Sequence, residues 1–143
     1  MKNLKNLSIL LVEDEAKLRR EIAAFLEIYC DRVTEAADGL EALERFSAQP
    51  SDLVISDIRM PQMNGLELAA RLKELSPETP VILCTAFTEN SYLLKAIELG
   101  VVALVRKPLD MEELLSKIGA AAAHIIQQYE INTANTQRTQ RRS

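Results

Sequence analysis

The chain has 143 residues, 48% hydrophobic and 27% charged, which fits one globular domain rather than two. Its formal net charge of -4 is uneven: residues 1–118 hold 14 Lys/Arg against 20 Asp/Glu, a balance of -6, and the remainder is +2. An acidic body argues against direct nucleic-acid binding, and a polar start (MKNLKNLS) with no apolar run near 18 residues argues against a leader or a membrane span; a cytoplasmic protein without membrane contact is expected.

In chain order, the first apolar, β-branched run predicts a strand near residues 7–12, closed by Glu13 and Asp14. Leu18, Ile22, Phe25 and Tyr29 follow at spacings of 4, 3 and 4, one stripe of an amphipathic helix. A second strand is predicted at 32–36. The pair Asp38 and Glu41 then reads as a capping box, in which a side chain takes a helix-start N–H that would otherwise lack a partner. A third strand at 53–56 ends at Asp57, and Asn64 with Glu67 opens the next helix. The fourth strand, 81–85, ends at Thr85; a helix over about 89–99 places Tyr92, Ala96 and Leu99 on one face and stops at Gly100. The fifth strand, 101–105, leads to Lys107, and Asp110 with Glu113 starts a last helix whose Leu114, Ile118, Ala121 and Ile125 again follow 4-3-4 spacing. Pro50, Pro77 and Pro80 punctuate the connections.

Strands alternating with helices predict an α/β domain over residues 1–123. Right-handed crossovers make it a doubly wound five-stranded parallel sheet with five helices, flavodoxin-like in its order 2-1-3-4-5. Residues 124–143 prolong the last helix and pass, from Asn132, into a polar stretch expected to be a disordered tail or linker. Low aromatic content, 4% with no Trp, makes the core aliphatic. Cys30 and Cys84, without a C-x-x-C neighbour, read as buried thiols.

In such a sheet the carboxyl ends of the strands form the rim of the ligand crevice. Glu13, Asp14, Asp57, Thr85 and Lys107 all fall there. Singly, each has an ordinary reading: Thr85 as a good strand residue, Lys107 as a loop charge, Asp14 as a helix cap. Together they supply what phosphoryl transfer needs. Carboxylates suit a small hard cation such as Mg²⁺, one carboxylate can act as nucleophile, and an ammonium and a hydroxyl suit phosphoryl oxygens. Three crowded carboxylates also repel one another, so the ion-free fold is destabilised until a cation binds. A nucleotide site is excluded by the lack of a glycine-rich loop after the first strand. With His124 the only histidine and no Cys cluster, a transition-metal site is unsupported.

The segments LLVEDE, DLVISDIRMPQMNGLEL, VILCTAF and LVRKPL, in this order and separation, resemble the receiver domain of two-component response regulators over about Ser8 to Ala123. The resemblance implies that Asp57 is the phosphoacceptor, that Glu13, Asp14, Asp57 and the backbone carbonyl of Arg59 hold Mg²⁺, and that Thr85 and Lys107 are the switch hydroxyl and the phosphate-contacting lysine. It implies a cis peptide between Lys107 and Pro108. The implied partners are a sensor histidine kinase or phosphotransfer protein, docking on the first helix and the loop near Pro108, and a downstream protein or fused output domain. A homodimer through the C-terminal helix or the face of the fourth helix and fifth strand is a further expectation, and the chain is not expected to be a turnover enzyme. The alternative, an aspartate-nucleophile phosphohydrolase, lacks its second Asp, since that position is Arg59. One departure from the family is Leu104, where a Tyr or Phe usually stands, so a differently routed switch is expected. Arg59 and Phe87 border the acceptor, and slow hydrolysis of an acyl phosphate is expected from their bulk.

Overall fold

The computed structural model describes residues 4–86, 90–123 and 125, the side chains of residues 90–92 excepted. Phe87, His124 and the polar tail, on which expectations were placed, lie outside the described residues. Five parallel strands, β1 (Ser8–Val12), β2 (Arg32–Ala36), β3 (Leu53–Asp57), β4 (Val81–Thr85) and β5 (Ala103–Arg106), pair in the order β2-β1-β3-β4-β5. Between them run α1 (Ala16–Glu27), α2 (Gly39–Ala48), α3 (Gly65–Leu75) and α4 (Asn90–Glu98), and residues 111–123 form a further helix, α5. This is the doubly wound, five-helix arrangement that the alternation of elements predicts.

Successive strand side chains point to opposite faces, and the two apolar clusters sort accordingly. Ile9, Leu11, Leu53, Ile55, Ile82, Cys84 and Val105 pack with Ile22, Ala23 and Leu26 of α1 and with Leu114, Leu115 and Ile118 of α5. Leu10, Val12, Val54, Val81 and Leu83 pack with Ala42 and Phe46 of α2, with Leu66, Leu68 and Leu72 of α3 and with Ala96 of α4. A parallel strand covered on both faces needs apolar residues at consecutive positions, which is why SILLV and VILCT read as unbroken runs.

The caps are where the sequence places them. Asp38 accepts from the Glu41 N–H at 2.8 Å, Asn64 from the Glu67 N–H at 2.9 Å, and Asp110 from the N–H groups of Glu112 and Glu113 at 3.0 and 3.3 Å. Gly100, at φ 73°, ends the α4 segment in the left-handed region that glycine tolerates. Four boundaries differ from expectation. Glu15, not Asp14, is the N-cap of α1, and that helix ends at Glu27, so Tyr29 lies in the following turn with its ring 5.5 Å from that of Phe25. β3 includes Asp57, which pairs with Cys84. β5 starts at Ala103 rather than 101, because the Val101 N–H is taken by the Ala96 carbonyl of α4 and bonding to β4 begins only with the Val102 N–H, which donates to the Val81 carbonyl at 3.0 Å.

Candidate functional site

Two strand ends place the acidic side chains. The Glu13 N–H continues the β1 ladder by donating to the Ala36 carbonyl at 3.1 Å, and the Glu13 side chain turns inward, leaving the residue 3% exposed. Asp14, next along, is exposed, and Asp57 closes β3 at 9% exposure. Carboxylate oxygens of Glu13, Asp14 and Asp57 all lie within 4.8 Å of one another.

Lys107, directly after β5, faces them. Its Nζ donates to Glu13 Oε1 at 2.7 Å and to Asp57 Oδ2 at 2.9 Å, while its backbone N–H donates to the Thr85 carbonyl at 2.9 Å. The peptide between Lys107 and Pro108 is cis. Thr85 is 3% exposed at the end of β4. The strand register therefore gathers all five residues at one end of the sheet.

Charge in this pocket is unbalanced, with three carboxylates against one ammonium. Burial lifts the Glu13 carboxyl above its ordinary value; the Lys107 hydrogen bond opposes the rise, and the neighbouring Asp14 and Asp57 carboxylates add to it. For Lys107, burial alone would favour the neutral amine, but its bonds to Glu13 and Asp57 outweigh this and raise it to about 12. The lysine is a fixed cation at any physiological pH. An all-oxygen donor set with surplus negative charge fits a hard divalent ion better than a thiophilic one.

The β3–α3 loop forms the outer wall. Asp14, Arg59, Met60, Pro61 and Asn64 line an open cavity of about 410 Å³, so Arg59 and Asp14 border the same space. The loop is held tightly. The Ile58 N–H donates to the Cys84 carbonyl, the Gly65 N–H donates to the Ile58 carbonyl at 2.7 Å, and the Met63 N–H closes a three-residue turn on the Pro61 carbonyl with Gln62 at φ 69°. A Cβ on Gly65 would lie 2.3 Å from the Asp57 carbonyl oxygen, so only glycine lets α3 start this close to the strand.

Sequence reasoning brought the five residues together but missed three supports. The Glu13 bond to Lys107 was not foreseen, nor was the contact of Gly65 with Asp57. Arg19 was also missed: from α1 it donates to the Glu13 carbonyl at 2.8 Å and to Glu35 Oε1 at 3.2 Å. None of these has a local sequence signal: Glu13 and Lys107 are 94 residues apart, and the other two depend on how α1 and α3 fold back on the strand before them.

The model of the response regulator receiver domain family matches residues 9–119. The chain belongs to that family. The receiver domain is 39% identical over 111 residues to the transcriptional regulatory protein CrdR of Helicobacter pylori, which covers 77% of this chain and 52% of that protein. It is 33% identical over 120 residues to the transcriptional regulatory protein ZraR of Klebsiella oxytoca, covering 84% of this chain and 27% of that one. The chain thus spans about half, or about a quarter, of the length of these relatives. Among solved structures, the signal receiver domain of an HD domain-containing protein from Pseudomonas fluorescens superposes with a TM-score of 0.82 at 31% identity, covering 86% of this chain and 99% of that one.

Two other features of the receiver domain bear on the site. Leu104 is partly buried and packs on the cluster formed by α2, α3 and α4, so aliphatic contact fills the place where the family usually has a ring. Cys84 pairs in the ladder with Asp57, yet burial foremost, with the Asp57 charge, pushes its thiol up to about 12. It stays protonated and does not compete as a nucleophile. Among the described residues no helix is long and apolar enough to cross a membrane.

Proposed function

We propose that this receiver accepts a phosphoryl group on Asp57 from a phosphohistidine of a sensor kinase or phosphotransfer protein, and that Mg²⁺ is required. The observation that carries the proposal is the Lys107 ammonium bridging Glu13 and Asp57 beside a third carboxylate. Glu13, Asp14, Asp57 and the Arg59 carbonyl are the residues that would hold the ion. When bound, Mg²⁺ neutralises charge on the phosphoryl oxygens during transfer.

The chain's own groups account for the remainder. A carboxylate oxygen of Asp57 attacks phosphorus while the bond from phosphorus to the donor imidazole nitrogen breaks, and the leaving nitrogen keeps the electron pair. Lys107, already within 2.9 Å of Asp57 Oδ2, transfers its hydrogen bond to a phosphoryl oxygen. Thr85 donates its hydroxyl to another. A conformer that places both groups on the phosphate is favoured by their differential contact with it, which shifts a pre-existing equilibrium toward the signalling state. Arg59 beside Asp14 obstructs attacking water and prolongs the acyl phosphate; a phosphoryl half-life unchanged in Arg59→Asn contradicts that role.

We assign the receiver to residues 1–123 and leave 124–143, nearly all outside the described residues, as a linker or tail. Leu18, Ile22, Phe25, Pro108, Leu109 and Met111 line an apolar groove of about 450 Å³ beside Lys107, which supports docking of the phosphodonor against α1 and the loop after β5. Output passes to a downstream protein or to a fused output domain of the kind its longer relatives, named as transcriptional regulators, would carry. Leu94 and Ile97 on α4 and Val102 before β5 are 62%, 74% and 49% exposed, which supports that face, or α5, as the surface for a homodimer or other partner. The site is tested by intact-mass measurement after incubation with acetyl phosphate, in Mg²⁺ or in EDTA. One phosphoryl group in Mg²⁺ and none in EDTA is expected; equal labelling in both overturns the divalent-ion assignment.

A further inference from the structure

We infer that Arg19 is a positioning residue for the acidic site: a strut that fixes the Glu13–Asp14 peptide, and with it the Asp14 carboxylate, for a divalent ion. The inference rests on the reading of Glu13, Asp14 and Asp57 as the Mg²⁺ site.

Asp14 lies on an exposed loop immediately beyond the sheet, where neither a ladder bond nor burial sets its direction. The residue before it, by contrast, is tied at both ends of its backbone. The Glu13 N–H donates to Ala36 at 3.1 Å, and the Glu13 carbonyl accepts from Arg19 Nη1 at 2.8 Å. Because the peptide unit is planar, fixing that carbonyl oxygen also fixes the plane that carries the Asp14 nitrogen and Cα.

Arg19 can do this because it is anchored in turn. Its Nε donates to Glu35 Oε1 at 3.2 Å, the two side chains are only 18% and 22% exposed, and Arg20 Nη1 holds the other Glu35 oxygen. Glu35 sits on β2 directly before Ala36, so both ties of Glu13 lead to the same two residues of the neighbouring strand. The guanidinium spans α1, the β1 end and β2 with two donors on one rigid plane. A lysine, with a single ammonium head, cannot reach both acceptors in that geometry. Its guanidinium is committed to Glu35 and to the Glu13 backbone rather than to a pocket carboxylate, so Arg19 acts by geometry rather than as a second cation in the pocket.

The test is Mg²⁺ titration by isothermal calorimetry on the full chain, with melting temperature in EDTA recorded for each variant. Loss of a residue that orients a metal ligand typically weakens binding about 10–100-fold, and Arg19→Ala is expected to bind Mg²⁺ about 10-fold more weakly. Arg19→Lys, which keeps the charge and folds with the same helix preference, is expected to show the same loss. Adding Glu35→Ala to Arg19→Ala should cost nothing further, because the two act as one unit. Mg²⁺ affinity in Arg19→Lys equal to wild type overturns the strut, as does a fall in melting temperature with unchanged affinity in both Arg19 variants. Absence of Mg²⁺ binding in the wild type would instead overturn the underlying site.

Discussion

At the scale of single residues, the pocket is a balance in which repulsion among Glu13, Asp14 and Asp57 exceeds what one lysine offsets. Asp57→Asn removes a buried negative charge while leaving an oxygen to accept from Lys107, which also keeps its 2.7 Å bond to Glu13. Its melting temperature in EDTA is therefore expected to rise by the few degrees that about 1 kcal/mol gives in a domain of this size; a clear fall contradicts the charge argument. The Glu13 carboxyl gives the matching pH dependence. Its folded value is raised above the ordinary 4.5, chiefly by burial. The stability it contributes in the protonated form is thus fully present below pH 4.5 and lost as pH rises through the folded value. Wild type and Glu13→Gln should be about equally stable at the acid end of that window, and wild type should fall behind as pH rises, in EDTA melting curves. Parallel curves would contradict it. These residues were legible in the sequence because each follows an apolar run whose end can be read from composition. Their partners were not: the 94-residue separation of Glu13 and Lys107 is closed only by the sheet.

At the scale of elements, the β3–α3 loop is the part whose shape the chemistry depends on. Gly65→Ala would drive a Cβ to 2.3 Å from the Asp57 carbonyl oxygen, against backbone that cannot step aside. The expected cost is about 3 kcal/mol by denaturant unfolding, at the upper end of ordinary overpacking, and Mg²⁺ affinity should fall with it because Arg59 and Asp57 move together. A stability within about 0.5 kcal/mol of wild type, the scatter of neutral surface changes, would show that the loop has another accommodation. Helix starts were readable from Asp38, Asn64 and Asp110, since N-capping is a local interaction within four residues. The start of β5 was not, because Val101 and Val102 have strand character, while the cap that ends α4 at Gly100 takes the Val101 N–H for the Ala96 carbonyl. The end of α1 was missed because Tyr29 continues the apolar stripe from the turn beyond the helix, its ring tilted against that of Phe25.

At the scale of the whole molecule, strand order carries the function. Order β2-β1-β3-β4-β5 puts β1 and β3 side by side, and parallel register aligns their carboxyl ends, so the acidic residues meet without any dedicated loop to gather them. Mg²⁺ that binds only this assembled site stabilises the entire domain, by about 2.7 kcal/mol at 100 times its dissociation constant. Melting temperature should therefore climb with Mg²⁺ in wild type and hardly at all in Asp14→Ala; equal gains in both would place the ion elsewhere. The fold was legible as a whole because burial on both faces of a parallel sheet demands continuous apolar strands, and the alternation with capped helices leaves few topologies. The central claim is that Asp57 becomes an acyl phosphate in this pocket. Its most direct measurement is tandem mass spectrometry after acetyl phosphate and Mg²⁺ treatment, with borohydride reduction converting the phosphorylated aspartate to homoserine. The account predicts homoserine at position 57 and none in Asp57→Asn; conversion at another carboxylate, or labelling that survives in Asp57→Asn, would contradict it.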